Sequence, residues 1–145
     1  MNIMDKLAKK EQNLEIFRDI TTMELAISDK SLTLASIKRT QSETEVLKFI
    51  SKCIAKLNDS LNIQRKMNFE QITNTAKHIL KDYYYLKQSD LYFVFTQAEK
   101  GRYGEFYDCL DVSKIMIWFD KYVEARAEFV FEKGLREHEK TKDSK

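Results

Sequence analysis

Residues 42–57 read SETEVLKFISKCIAKL, and the fold turns on this stretch. Ser42 and Glu45 have the spacing of a capping box: a hydroxyl placed to accept from a free first-turn amide, and a carboxylate three residues on to return the bond. Behind the box, Val46, Leu47, Ile50, Cys53, Ile54 and Leu57 recur at steps of three and four. That spacing gathers side chains on one face of a helix. A half-buried strand would alternate apolar and polar residues, and no segment of the chain does so.

The same grammar extends in both directions. Towards the C-terminus the helix frays at LNDSLN, and Asn68 with Gln71 three residues on caps a second helix whose face is Ile72, Ala76, Ile79, Leu80 and Tyr83. Ser89 or Asp90 is placed to cap a third, with Leu91, Val94, Phe95 and Ala98 inward and Gly101 as its left-handed stop. Asp111 caps the last and longest, marked on one side by Ile115, Phe119, Tyr122 and Phe129, before the polar EHEKTKDSK. Towards the N-terminus, Leu7, Leu14, Phe17 and Ile20 predict a helix from about Asp5 towards Thr22. Thr21 with Glu24 suggests a capping box for a short further piece, and residues 28–41 read as a joint or short helix.

No proline interrupts the 145 residues, and glycine occurs only three times. Proline is kept out of helix interiors by its missing N–H and its ring clash, so its absence fits a chain that is mostly helix. The expected fold is all-α: a compact bundle of about five helices, counting the N-terminal one. Its core domain is expected over residues 42–135, with residues 1–41 as an N-terminal helical arm and joint and 136–145 as a polar tail. The arm would pack on the core or exchange with a second copy.

Hydrophobic residues make up 43% and charged residues 33%, a globular balance. No apolar run approaches the roughly 18 residues of a membrane span, and MNIMDKLAKKEQ has no apolar centre for a signal peptide. Cys53 and Cys109 make no disulfide framework and no metal spacing, so they read as free thiols in a reducing, cytoplasmic setting. Residues 1–60 hold ten Lys/Arg against nine Asp/Glu, and the remainder fifteen against fourteen. So even a balance disfavours a dedicated nucleic-acid binder.

Chemistry-bearing motifs are scarce. His78 sits within a helix and His138 in the tail, without zinc-ligand spacing. Glu105, Asp108 and Asp111 lack the glycine and the alternation of a calcium loop. Neither a phosphate-binding G-x-x-x-x-G-K-[ST] nor a G-x-S-x-G elbow occurs. No enzyme activity, cofactor or metal is therefore expected.

What remains is surface. All seven tyrosines and the single tryptophan fall between Tyr83 and Tyr122. Tyr83, Tyr84 and Tyr85, read as helical, point about 100° apart and so share no platform. Tyr84, together with Tyr92 and Phe93, which lie off the inward face of their helix, is a candidate for an exposed partner-binding patch. Asp120, Glu124, Glu128 and Glu132 recur every fourth residue and form an acidic stripe that suits a basic partner surface. Phe129-Val130-Phe131, apolar all round, points to contact with the arm or to a homodimer.

GRYG, residues 101–104, matches the bare G-x-x-G with which KH modules clamp a nucleic-acid backbone. That module needs a sheet, and the carboxylates that follow would repel phosphate, so Gly101 and Gly104 are assigned a structural turn. The turn should hold Tyr103, Phe106 or Tyr107 against the core. The competing nucleic-acid reading uses Lys81, Lys87, Lys100 and Arg102, with Tyr84 or Tyr103 stacking on bases.

From Met67 to Arg126 the chain carries N-x-x-Q-I, DYYYL, DLYFVF, GRYGEFYDCLD and W-F-x-x-Y-x-x-x-R. This pattern resembles a group of short helical proteins encoded in phages and mobile elements of the Bacteroides group. The architecture is also similar to that of phage helicase loader and inhibitor proteins, which pair a compact helical domain with a tyrosine-rich helix and an arm. Taken with the aromatic concentration, the acidic stripe and the absence of catalytic motifs, the resemblance leads to the expectation of a non-enzymatic adaptor in a bacterial host cell, serving phage or mobile-element DNA replication or antagonising a host defence protein. No family site residue transfers with it.

Overall fold

The computed structural model describes residues 20–104 and 109–143. Their regular elements are six helices: α1 (Met23–Ser28), α2 (Leu34–Thr40), α3 (Glu43–Ser60), α4 (Phe69–Asp82), α5 (Gln88–Glu99) and α6 (Val112–Asp143). Among the described residues there is no sheet; only isolated bridges join Thr33 to Lys87 and Arg65 to Cys109. The fold is all-α. The expected helix over Asp5–Thr22 lies almost wholly outside the described residues, and Ile20–Thr22 are not helical.

Local chemistry sets most boundaries. The Ser42 hydroxyl accepts from the Glu45 amide at 3.1 Å and opens α3. Asn68 and Gln71 form the full reciprocal box of α4, at 2.8 and 2.9 Å. Asp111 accepts from the Lys114 amide at 3.1 Å and opens α6. Two expected caps shift. Thr22, not Thr21, caps α1 through the Leu25 amide. Neither Ser89 nor Asp90 is the cap of α5, which begins at Gln88: Asp90 is its third residue and accepts from the Lys87 amide at 2.8 Å. The stop of α5 is a Schellman turn: Gly101 takes φ +77°, its amide reaches Ala98 O and the Arg102 amide reaches Gln97 O, both at 3.0 Å.

The long α3 packs on α2, α4 and α5; α1 lies on α5, and α6 crosses α5 and α4. Helix α5 therefore has neighbours on several sides and is buried from Ser89 to Phe95. This overturns the expected exposure of Tyr92 and Phe93, which retain 9% and 8% of their surface. A single inward face suits a helix at the edge of a bundle, and α5 is not at the edge.

The described part of the expected N-terminal arm, residues 20–41, packs on the core. Ile20, Ala26, Leu34 and Ile37 belong to the same core as Ile50, Ile79 and Phe119. Helices of six and seven residues cannot hold themselves in water, and they persist here by docking. The dock is polar as well as apolar. Ser89 Oγ donates to Ala26 O at 2.6 Å, and Lys87 Nζ donates to Ile27 O at 2.6 Å and Asp29 O at 2.9 Å. Lys87 thereby satisfies carbonyls at the open end of α1. At the other terminus α6 stays helical through Asp143 where a tail was expected, because Glu, Lys, Arg and Leu are strong helix formers.

Candidate functional site

Helix α6 divides into a packed and a free part. Ile115, Trp118, Phe119 and Tyr122 are buried against the bundle. Beyond Tyr122, among residues 123–141, Val123, Arg126, Phe129 and Lys133 keep partial cover. The opposite side carries Ile117 at 50% exposure, Phe131 at 67% and Leu135 at 49%. Ile117, Glu124 and Phe131 are seven residues apart, two turns each, and so lie near one line of the helix. Glu128 and Leu135 fall beside that line. The free face thus mixes aliphatic and aromatic groups with carboxylates, on the uncovered side of α6.

The expected acidic stripe is present as a geometric row, since Asp120, Glu124, Glu128 and Glu132 are all exposed. Its first member differs from the rest. The Tyr83 hydroxyl donates to Asp120 Oδ1, which ties that carboxylate to the end of α4. Burial, reinforced by the hydrogen bond and charge of Asp120, pushes the Tyr83 phenol well above its usual range. Phe129 is half-buried rather than open, bordering a shallow cleft of about 230 Å³ with Glu24 of α1, Lys133 and Arg136. Val130 and Phe131 are exposed, so the apolar triplet points in two directions.

Deeper in, Asp90 is fully buried. Its Oδ1 accepts from the Tyr122 hydroxyl at 2.5 Å and from Arg126 Nε at 3.2 Å, so one carboxylate joins α5 to α6. Burial, then the neighbouring Asp90 charge, drives the Tyr122 phenol strongly upward. The buried carboxylate is satisfied by these groups and by the Lys87 amide, which makes the pairing structural. Cys53 is half-buried, and burial pushes its thiol up to about 12, which favours the protonated form. Among the described residues no group of three or more His, Cys, Asp or Glu could hold a metal ion. No helix there is long and apolar enough to cross a membrane.

The tyrosine run ends α4 rather than continuing it. Tyr83 is buried and stacks on Phe119 at 5.3 Å between ring centroids. Tyr84 and Tyr85 form the following turn and stay 55% and 42% exposed. The nucleic-acid residues suggested by the sequence do not all converge. Lys87 is spent on α1, and Tyr103 stacks on Trp118 at 6.4 Å, with burial raising its phenol to about 12. Lys100 and Arg102 are exposed at the GRYG turn, where Gly104 also has positive φ. Phe106 and Tyr107 lie outside the described residues.

Lys81 and Tyr84 instead line an open groove of about 720 Å³ with Lys77 of α4 and Lys38 and Arg39 of α2. Sequence reasoning missed Lys38, Arg39 and Lys77. Lys77 and Lys81 carry the one available signal, a four-residue step on a single helix, whereas their apposition to α2 is tertiary.

Compared with family models, with curated proteins and with solved structures, the chain gives no match.

Proposed function

We propose that the chain is a non-enzymatic interaction adaptor that docks through the free face of α6 onto a partner protein. The observation carrying this reading is Phe131, two-thirds exposed on the uncovered side of α6, in line with Ile117 and Glu124. Exposed aromatics on a regular helix suit helix-in-groove recognition, in which apolar anchors supply affinity. The flanking Glu124 and Glu128 favour a groove with a basic rim and speed encounter with it. The resemblance to phage and mobile-element proteins supports reading that partner as a DNA-replication protein, engaged as a helicase loader or inhibitor engages a helicase.

Capture from host lysate tests this with three baits: the wild type, Phe131→Ala, and the double reversal Glu124→Lys/Glu128→Lys. The expected outcome is a helicase or primosome component held by the wild type, lost with Phe131→Ala and weakened by the reversal, most of all at low salt. A defence protein captured with the same dependence would move the reading to a host-defence antagonist. Sedimentation showing a dimer broken by Phe131→Ala would assign the face to a second copy. Identical capture by all three baits would end the proposal.

A further inference from the structure

The groove between α2 and α4 concentrates charge that the chain as a whole does not have. Lys38, Arg39, Lys77 and Lys81 line it against one carboxylate, Glu43. Their net of three positive charges exceeds the +2 of the entire chain, so everything outside the groove is slightly acidic. All four cations are exposed, and none takes part in an ion pair among the described residues, where the pairs are Lys48–Glu45 and Arg126–Asp90.

Part of this arrangement has an internal reason. Lys38, Arg39 and Lys81 stand in the last turns of their helices, where a cation suits the carbonyl end of the helix dipole. Lys77 lies a turn earlier and gains nothing from the dipole, yet it points into the same groove. Four like charges with no ion-pair partner among the described residues raise the energy of the free protein and are relieved by an anionic ligand.

Tyr84 specifies which anion. It lines the groove with more than half its surface open. Its backbone is fixed, since the Ala35 amide donates to Tyr84 O at 2.9 Å and the Leu34 amide to Leu86 O at 2.8 Å. Tyr85 meets the Tyr84 ring edge-on, at 5.6 Å and 89°. A rigidly mounted, open aromatic beside a cationic track is the combination that holds single-stranded nucleic acid: cations follow the phosphates and the ring stacks on a base. A duplex would bring phosphates but no free base face, and an acidic peptide would leave the ring unused. Lys77 and Lys81 are separated by about 6 Å along the helix axis, a step comparable to that between phosphates of an extended strand.

We propose that the α2–α4 groove binds a single strand of nucleic acid, with Lys38, Arg39, Lys77 and Lys81 on the phosphodiester backbone and Tyr84 stacked on a base. The site is independent of the α6 face, so either can fail without the other. Glu43 is an antagonist within it, and Glu43→Gln tightens binding a few-fold.

Fluorescence anisotropy with a labelled oligothymidylate of about 20 nucleotides, titrated across a salt series, tests the site. Three or four phosphate contacts give a slope of log affinity against log salt of about −2 to −3. Lys77→Glu/Lys81→Glu weakens binding at least about tenfold and flattens the slope. Tyr84→Ala weakens it about five- to hundredfold at unchanged slope, and Tyr84→Phe stays near wild type. Lys121→Glu on α6 changes nothing. All these positions are exposed, and circular dichroism confirms that each variant is folded. The proposal is overturned by absent binding at low salt, by indifference to the lysine reversals, or by indifference to Tyr84→Ala. Equal competition from polyglutamate would make the groove a site for acidic protein, and equal competition from phosphatidylserine vesicles a membrane site; either also overturns it.

Discussion

Tyr122 on α6 donates its phenolic hydrogen to the fully buried carboxylate of Asp90 on α5, at 2.5 Å. Arg126, one turn further along α6, reaches the same oxygen, and the Lys87 amide takes the other. A buried charge without partners is far more costly than a buried pair is stabilising. Asp90→Ala leaves the guanidinium and the phenol facing an apolar pocket and should cost about 3–5 kcal/mol in urea unfolding. Tyr122→Phe removes one bond and should cost about 1–3 kcal/mol. A double-mutant cycle should show the two changes strongly non-additive; additive losses would mean that the phenol and carboxylate do not pair.

The stop of α5 gives a purely conformational prediction. Gly101 has φ +77°, and a methyl group added there would meet nothing within 4 Å. Gly101→Ala should therefore cost about 1–2 kcal/mol, the usual penalty for an L-residue in the left-handed region, with no steric part. Thermal unfolding measures it. Oligonucleotide affinity should not change, because the GRYG turn is outside the α2–α4 groove.

Tyr103 predicts how stability responds to alkali. Burial raises its phenol from 10.0 to about 12. Between these values the unfolded chain has lost the proton and the folded chain has kept it. The unfolded state then binds fewer protons, so stability falls as pH rises. Stability is fully present below pH 10.0 and declines from there towards about 12. Tyr103→Phe should remove up to one proton from that dependence, read from denaturation midpoints across the same range. An unchanged profile would place the Tyr103 hydroxyl in water.

The acidic row should behave as two kinds of residue. Glu124→Lys and Glu128→Lys exchange exposed helix charges and should move stability by no more than about 0.5 kcal/mol. Asp120→Lys breaks the contact with Tyr83 at the end of α4 and should cost about 1–3 kcal/mol. Equal effects at all three positions would contradict the assignment of Asp120 to the bundle.

Much of the scaffold is legible in the sequence because its cause is local. The stripes of α3 and α4 follow from the helical repeat, the Asn68–Gln71 box from a reach of three residues, and the left-handed stop from the absence of a side chain on Gly101. What stayed hidden depends on residues brought together across the chain. Tyr92 and Phe93 look outward on a wheel with one buried face and are covered because α5 has several neighbours. Lys87 reads as a surface cation until the carbonyl end of α1 arrives beside it. The cationic groove is invisible to a charge count, since it joins residues about forty positions apart while the totals stay balanced.

The attachment of α1 also has a mechanical consequence. Its carbonyls hang from Lys87 and Ser89, and Ser31 donates a further bond to Ser89 Oγ. A pull on the chain at Ile20, as from an unfoldase threading the N-terminus, would load these few bonds in turn. It would deliver the tension to residues 87–89, at the head of the deeply buried α5. Below the rupture force of that joint Ile20 and Ala26 stay seated in the core. Above it, α1 peels away and bares the start of α5, so the first short helix acts as a sacrificial fastener whose release precedes collapse of the bundle.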